Sequence, residues 1–341
     1  KPTGVLYVAC ILLPTLFVAL WLGFLLESLA LVLLLLLPIS DLVKNLVDFI
    51  VVRTIPPRPV PPMDLSAGLP AAGRTLCVIA GLLTGEKSGD EYAALLERYR
   101  LANRDSGKEL RFGLLADLPD RDAPMGSDQR KWVGRAQEAI KALNEKYSGG
   151  FYLFFREPVF HKTDERYVGW ERKRGALLEL TRSLRGRPSG VRVMAGSAGA
   201  LKSTQYIITL DSDTSLNVGA ARELVGAMLH PLNRPVVDPE RRVVVRGYGL
   251  LQPRIGVDLR AANRSQFSRI FAGLGCIDPY GGACSDVYHD LFDRGTYTGK
   301  GIFDVDAFVK CLDGRFPQGR ILSHDLLEGA YLHAGLMEDV E

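Results

Sequence analysis

The sequence has no excess of either charge: 42 lysines and arginines are set against 39 aspartates and glutamates, scattered along the chain. Without a basic run or stripe there is no electrostatic footprint for a nucleic-acid partner. Cysteine is scarce as well. Cys10, Cys77, Cys276, Cys284 and Cys311 are odd in number and lack the paired short spacings of a disulfide framework or a zinc site, which leaves them as reduced thiols. Internal repeats and low-complexity tracts are missing beyond the proline-rich stretch near residue 60. With 47% hydrophobic and 24% charged residues in a chain of 341, disordered and fibrous classes drop out.

Charge is most depleted over residues 5–37, where Glu27 stands alone. One straight helix over that run would be roughly 50 Å long, against the ~30 Å hydrocarbon core that a single span crosses. The simplest reading is a hairpin: a first span over residues 5–26, a turn at Glu27 and Ser28, and a second apolar segment from Leu29. A cleaved signal peptide is disfavoured by the length of the run and by the lack of a small-residue cleavage site after it. Beyond Pro38 the pattern turns amphipathic, with Leu42, Val43, Leu46, Val47 and Ile50 on one helical face and Asp41, Lys44, Asn45 and Asp48 on another. That stretch either finishes the second span or lies along the interface with Asp41 as its cap. Arg53 and Arg58 follow directly and bias what comes next toward the cytosol.

Residues 55–62 read IPPRPVPP, which fits neither a helix interior nor a central strand and is taken as an extended spacer. After it, apolar runs at 75–80, 110–115, 151–155 and 206–210 alternate with helical periodicity at 86–101, 130–143 and 171–184. Repeated β-α units predict an α/β fold with a mostly parallel sheet and helices on both faces. The expected organisation is a membrane hairpin and amphipathic helix at 1–54, a proline-rich linker at 55–70 and a catalytic domain at 71–341.

In such sheets ligands bind beyond the carboxyl ends of the strands, so polar residues just past each apolar run come first. Asp117 follows one run, and Asp211 with Asp213 follows another in YIITLDSDT. Two aspartates there can hold Mg2+ or Mn2+, which take hard oxygen ligands and suit transfer from a nucleotide-linked donor. A turn or a helix cap uses the same Asp-x-Asp, and a haloacid-dehalogenase phosphatase also places two aspartates after a strand. That enzyme wants Thr or Val where this chain has Ser215. The helix opening WERKRGALLEL brings Lys173 and Arg174 to a helix N-terminus, a natural place for phosphate, although a solvated face would look alike. Near the end, SHDLLEG sets His324 and Asp325 at a helix start with Glu328 following. A capping arrangement accounts for part of this; the sharper reading makes Asp325 a general base beside an acceptor hydroxyl. Tyr297, Gly299 and Lys300 in a glycine-rich segment, with Gln252 on the strand GYGLLQPRI and His324, are candidates for acceptor contact.

The order of these motifs resembles the processive, inverting glycosyltransferases of GT-A fold, such as cellulose and hyaluronan synthases. Asp117 matches their uracil-side aspartate, Lys173 with Gly175, Ala176 and Leu177 a second element, Asp211 and Asp213 the metal pair, and Asp325 the base. Two positions depart: His324 stands where the broader group has Glu, and residues 75–80 run into Ala80 and Gly81 where Val-Pro is usual. A closer resemblance is to the glycosyltransferase region of cyclic β-1,2-glucan synthases, carried by GWERKRG, ITLDSDT, HPLNRP, GYGLLQPR, DPYGGACSDVYHDLF, TGKGIFDVDAF and SHDLLEG in one order. It implies a UDP-glucose donor, Mg2+ or Mn2+, inversion at the anomeric carbon, and a β-1,2-glucan growing on a protein-attached primer. It also implies a bacterial inner-membrane protein with its catalytic domain in the cytosol. The same resemblance expects a Gln-x-x-Arg-Trp element and further membrane helices after the base motif, so the chain reads as a C-terminally truncated region. Rival readings are another processive polysaccharide synthase, separable by product linkage, and a membrane sugar-nucleotide sensor without turnover, against which Asp213 and Asp325 count.

Overall fold

The computed structural model describes residues 2–162, 164–257, 262–271, 286–319, 321, 323–337 and 340. The segment DPYGGACS of one motif, with Cys276 and Cys284, lies outside them. By its internal packing the chain forms two compact units, one of residues 1–59 with 254–295 and one of residues 60–253 with 296–341.

The first unit opens with α1 (Pro2–Leu25) and α2 (Leu29–Thr54), both long and apolar enough to cross a membrane. The turn falls where the charge does: Glu27 takes a left-handed backbone, and Ser28 caps α2 by accepting from the Leu31 N–H. Helix α2 runs unbroken through Pro38 to Thr54, so the amphipathic stretch is the second half of one helix. Most large apolar side chains of the hairpin face outward, while Ala19, Val32 and Ile39 pack between the helices. Two short helices, α8 (Gln266–Phe271) and α9 (Val287–Phe292), belong to the same unit. Helix α9 sets Tyr288 and Phe292 edge-on against Tyr7, whose hydroxyl donates to Asp48 at 2.6 Å.

The second unit carries β1 (Thr75–Leu82), α3 (Ser88–Ala102), β2 (Leu110–Asp117), α4 (Ser127–Tyr147), β3 (Phe151–Arg156), the hairpin β4 (Val159–His161) and β5 (Arg166–Val168), and α5 (Arg172–Leu184). It continues with β6 (Val191–Ala195), α6 (Ala198–Leu201), β7 (Tyr206–Leu210), α7 (Ala220–Leu229), the hairpin β8 (Val236–Asp238) and β9 (Val243–Arg246), and β10 (Leu250–Pro253). Its last elements are β11 (Gly301–Asp304), α10 (Val305–Leu312), α11 (Asp325–Leu332) and β12 (Ala334–Met337).

Among the described residues eight strands form one sheet in the order β12-β10-β11-β7-β1-β2-β3-β6. The four apolar runs of the sequence are its parallel centre, β7-β1-β2-β3, buried on both faces as continuous hydrophobic strands require. Helices α3, α4 and α7 cover one face around Phe112, Phe151 and Ile208; α5, α10 and α11 cover the other around Leu76, Phe154 and Phe303. The sheet is thus mostly parallel with helices on both sides. Strand β11 reverses it, pairing antiparallel with both β7 and β10, and β6 does the same at the β3 edge. The expected linker is not a free spacer over its whole length: Val60, Leu65 and Leu69 are buried in the core, and Met63 N–H donates to Gly226 O at 3.0 Å.

Candidate active site

The reversed strand builds the site. Register pairs Gly301 with Thr209, so the residues leading into β11 arrive beside the carboxyl end of β7, where Asp211 leaves the sheet. Lys173, in the first turn of α5, reaches into the same corner. Its ammonium donates to Asp211 Oδ1 at 2.5 Å and to the Gly299 carbonyl at 2.5 Å, while Lys300 Nζ lies 3.4 Å from Asp211 Oδ2. One carboxylate therefore gathers two cations at the strand end.

Gly299 takes a left-handed backbone with φ +81°, and a Cβ on it would stand 2.8 Å from Asp325 Oδ1. Only glycine lets the chain pass this close to that carboxylate. Asp325 opens α11, and the preceding His324 sits between two acids: its Nδ1 is 3.3 Å from Asp325 Oδ1 and 3.0 Å from Glu328 Oε2. Burial would lower the His324 pKa, but the contact and charge of Glu328 and the charge of Asp325 outweigh it and raise the value. Glu328 is 1% exposed, and the His324 imidazole, when protonated, is its ion-pair partner. Beneath them Tyr297 is buried, with no hydrogen-bond partner for its hydroxyl among the described residues. Burial first, then the charges of Glu328, Asp325 and Asp211, holds that phenol well above its ordinary range.

Lys173, Asp211, Gly299, Lys300, His324 and Asp325 are therefore brought together. Other candidates take different places. Asp211 and Asp213 both lie beyond the end of β7, and Asp213 sits on an exposed turn. Arg174, read as a phosphate ligand, is turned into the protein: it is buried, ion-paired with Glu171, and its guanidinium lies 5.4 Å from the Phe316 ring centroid. A step of about 100° along a helix separates it from Lys173, which explains why one faces the site and its neighbour does not. Gln252 and Tyr297 line the wall behind the site rather than its surface. Gln252 Oε1 accepts from Thr298 N at 3.0 Å and Thr298 Oγ1 at 3.2 Å, bracing the 297–300 turn. Asp117 ends β2 as expected but is buried under a fork from Arg156, whose Nε donates to Oδ1 at 2.9 Å and whose Nη2 donates to Oδ2. Burial pushes the Asp117 carboxyl up and the arginine opposes it.

Arg156, Glu171 and Glu328 belong to no expected binding set. The rule that pointed to Asp117 and Asp211 points equally to Arg156, the polar residue that ends the apolar run of β3. Glu171 and Glu328 carry no comparable signal, because burial of an acid inside a helix start is not visible in spacing.

Two donor groups suit a cation. Asp211 and Asp213 offer only carboxylate oxygen beyond the end of β7, the donor type that Mg2+ and Mn2+ take, although Asp211 Oδ1 already accepts from Lys173 and its Oδ2 faces Lys300. One donor atom each from His324, Asp325 and Glu328 also lie within 4.8 Å of one another, although His324 is already at ion-pair distance from both acids.

No protein-family model matches the chain. It is 37% identical over 322 residues to "Cyclic beta-(1,2)-glucan synthase NdvB" of Rhizobium meliloti (strain 1021), a match that takes in 92% of this chain and 11% of that protein's length. At that identity over nearly all of its residues, the chain is a homologue of one segment of cyclic β-(1,2)-glucan synthase, the family that its motif order resembles.

Proposed function

We propose that this region is a membrane-bound, inverting glucosyltransferase that moves glucose from UDP-glucose to the 2-hydroxyl of a growing β-1,2-glucan. The observation that carries the reading is the convergence of Lys173 and Lys300 on Asp211 with Asp325 packed against Gly299 in the same corner. Homology to a glucan synthase supports transferase chemistry, and the sheet agrees with the GT-A expectation. The two apolar helices support a membrane location, with the bacterial inner membrane and a cytosolic catalytic face following from the resemblance.

Asp211 and Asp213 would hold a divalent cation, which when bound supplies positive charge against the diphosphate. Lys173 and Lys300 add fixed positive charge at the strand end, where the departing UDP gains negative charge. Asp325 takes the proton from the acceptor 2-hydroxyl as that oxygen forms its bond to the anomeric carbon. The bond from that carbon to the UDP oxygen breaks on the opposite face, so the configuration inverts. His324, held by Glu328, keeps the Asp325 carboxylate turned toward Gly299. Placing the acceptor oxygen against this base contributes through orientation as well as proton transfer.

The test is transfer from radiolabelled UDP-glucose by the full-length protein in membranes, with Mg2+ or Mn2+, with and without chelator, followed by linkage analysis. The expected result is a chelator-sensitive β-1,2-linked product that Asp325→Asn loses while keeping UDP affinity. A product of another linkage would reassign the chain to a sibling synthase, and loss of UDP binding with turnover in Asp325→Asn would remove the base role.

A further inference from the structure

Arg156 is 3% exposed, and its guanidinium serves acceptors on two separate pieces of chain. Its fork holds Asp117 at the end of β2. Its outer N–H groups reach the turn that opens α5: Nη1 donates to Trp170 O at 2.9 Å and Nη2 to Arg172 O at 2.9 Å. That turn is strained, because Glu171 (φ 48°) and Arg172 (φ 42°) are consecutive non-glycine residues in the left-handed region. Backbone of this kind persists only where its surroundings hold it. The two glycines of GWERKRG answer to the same group. A Cβ on Gly169 would stand 2.7 Å from Arg156 Nη2 and 2.8 Å from Asp117 Oδ2, and one on Gly175 would meet the Trp170 carbonyl first and stand 2.7 Å from Arg156 Nη1. The next residue after the strained pair is Lys173, which reaches Asp211 and Gly299.

We propose that Arg156 is a positioning residue for donor binding, locking the turn at residues 170–172 and so aiming Lys173 at the diphosphate end of the site while it fixes Asp117. The inference rests on the nucleotide-sugar reading above. Lysine cannot replace this arginine, because one ammonium cannot present a planar fork to a carboxylate and two further N–H groups to separate carbonyls. Arg156 acts on the diphosphate end of the donor through Lys173, so the two residues share that part of their effect.

The test is calorimetric binding of UDP to the full-length protein in detergent, with thermal midpoints recorded for each variant. Arg156→Lys and Lys173→Gln each weaken UDP binding by about tenfold or more, the scale of one charge-assisted contact. The double variant loses less than the product of the two single losses, because the part carried by Lys173 is counted once. Gly169→Ala, which leaves every charge in place but intrudes on the Arg156–Asp117 pair, weakens UDP in the same direction. A purely structural arginine would lower the thermal midpoint and leave UDP affinity at the wild-type value, and that result overturns the proposal. So do wild-type affinity in Lys173→Gln and losses that multiply in full in the double variant. If Arg156→Lys does not fold, Gly169→Ala decides: wild-type UDP affinity there overturns the proposal. Wild-type protein that fails to bind UDP removes the donor reading itself, and the role of Arg156 with it.

Discussion

Replacing Gly299 by alanine tests the arrangement of the base with one added methyl group. The residue has φ +81°, where any side chain is strained, and its Cβ would stand 2.8 Å from Asp325 Oδ1 and 3.3 Å from Cγ. Ordinary contact begins near 3.4 Å, so the carboxylate must retreat by about 0.6 Å. Two costs follow and can be separated. The left-handed backbone removes roughly 1–2 kcal/mol of stability. Misplacing a reacting group by about 1 Å costs on the order of 100-fold in rate, so a shift of this size lowers kcat by roughly ten- to a hundredfold. Gly314 provides the control: it has φ +66° and open space at its Cβ, so Gly314→Ala carries the backbone cost without the displacement. Initial rates of glucose transfer over a range of UDP-glucose concentrations, with thermal midpoints for both variants, give the comparison. Similar destabilisation in both, with kcat lost only in Gly299→Ala, is the expected pattern. Wild-type kcat in Gly299→Ala, or an equal loss in both, would refute the placement of Asp325 as base beside Gly299.

His324 makes stability depend on pH in a known direction. Its native pKa is raised above the ordinary 6.5, so its contribution is fully present below that value and is lost as pH rises through the native one. The gap in thermal stability between wild type and His324→Gln should therefore narrow on going from acid to alkaline pH, and a gap that widens would contradict the pairing with Glu328. Phe303 is fully buried and stacks on Phe308 with ring centroids 4.4 Å apart. Phe303→Ala should cost about 3–5 kcal/mol, read as a fall in thermal midpoint on the order of 10 °C.

The centre of the sheet is legible because physics writes it twice. A parallel strand buried on both faces needs an unbroken apolar run, and those at 75–80, 110–115, 151–155 and 206–210 became β1, β2, β3 and β7. The hairpin was equally readable, since a lone glutamate and a serine cap interrupt an otherwise apolar stretch. What escaped is what depends on pairing. Strands β10, β11 and β12 are each four residues long, and nothing in Gly301–Asp304 announces that it runs against β7. For the same reason Lys173 and Arg174, adjacent and chemically alike in the sequence, could be told apart only once α5 had a buried side. Asp117 was found by its position at a strand end. Its partner Arg156 stands at the equivalent end of the neighbouring strand, and their pairing is a property of the sheet rather than of either segment.

The reversal of β11 has a consequence for how this domain can change. Strand β10 ends at Pro253 and β11 begins at Gly301, side by side, with Gln252 and Thr298 hydrogen-bonded across the gap. A segment that leaves and re-enters through a clasped doorway adds little to the free energy of closing the chain as it lengthens, since that cost grows only with the logarithm of loop length. A change in the length of residues 254–295 therefore leaves unshifted the register that brings Gly299 to Asp211.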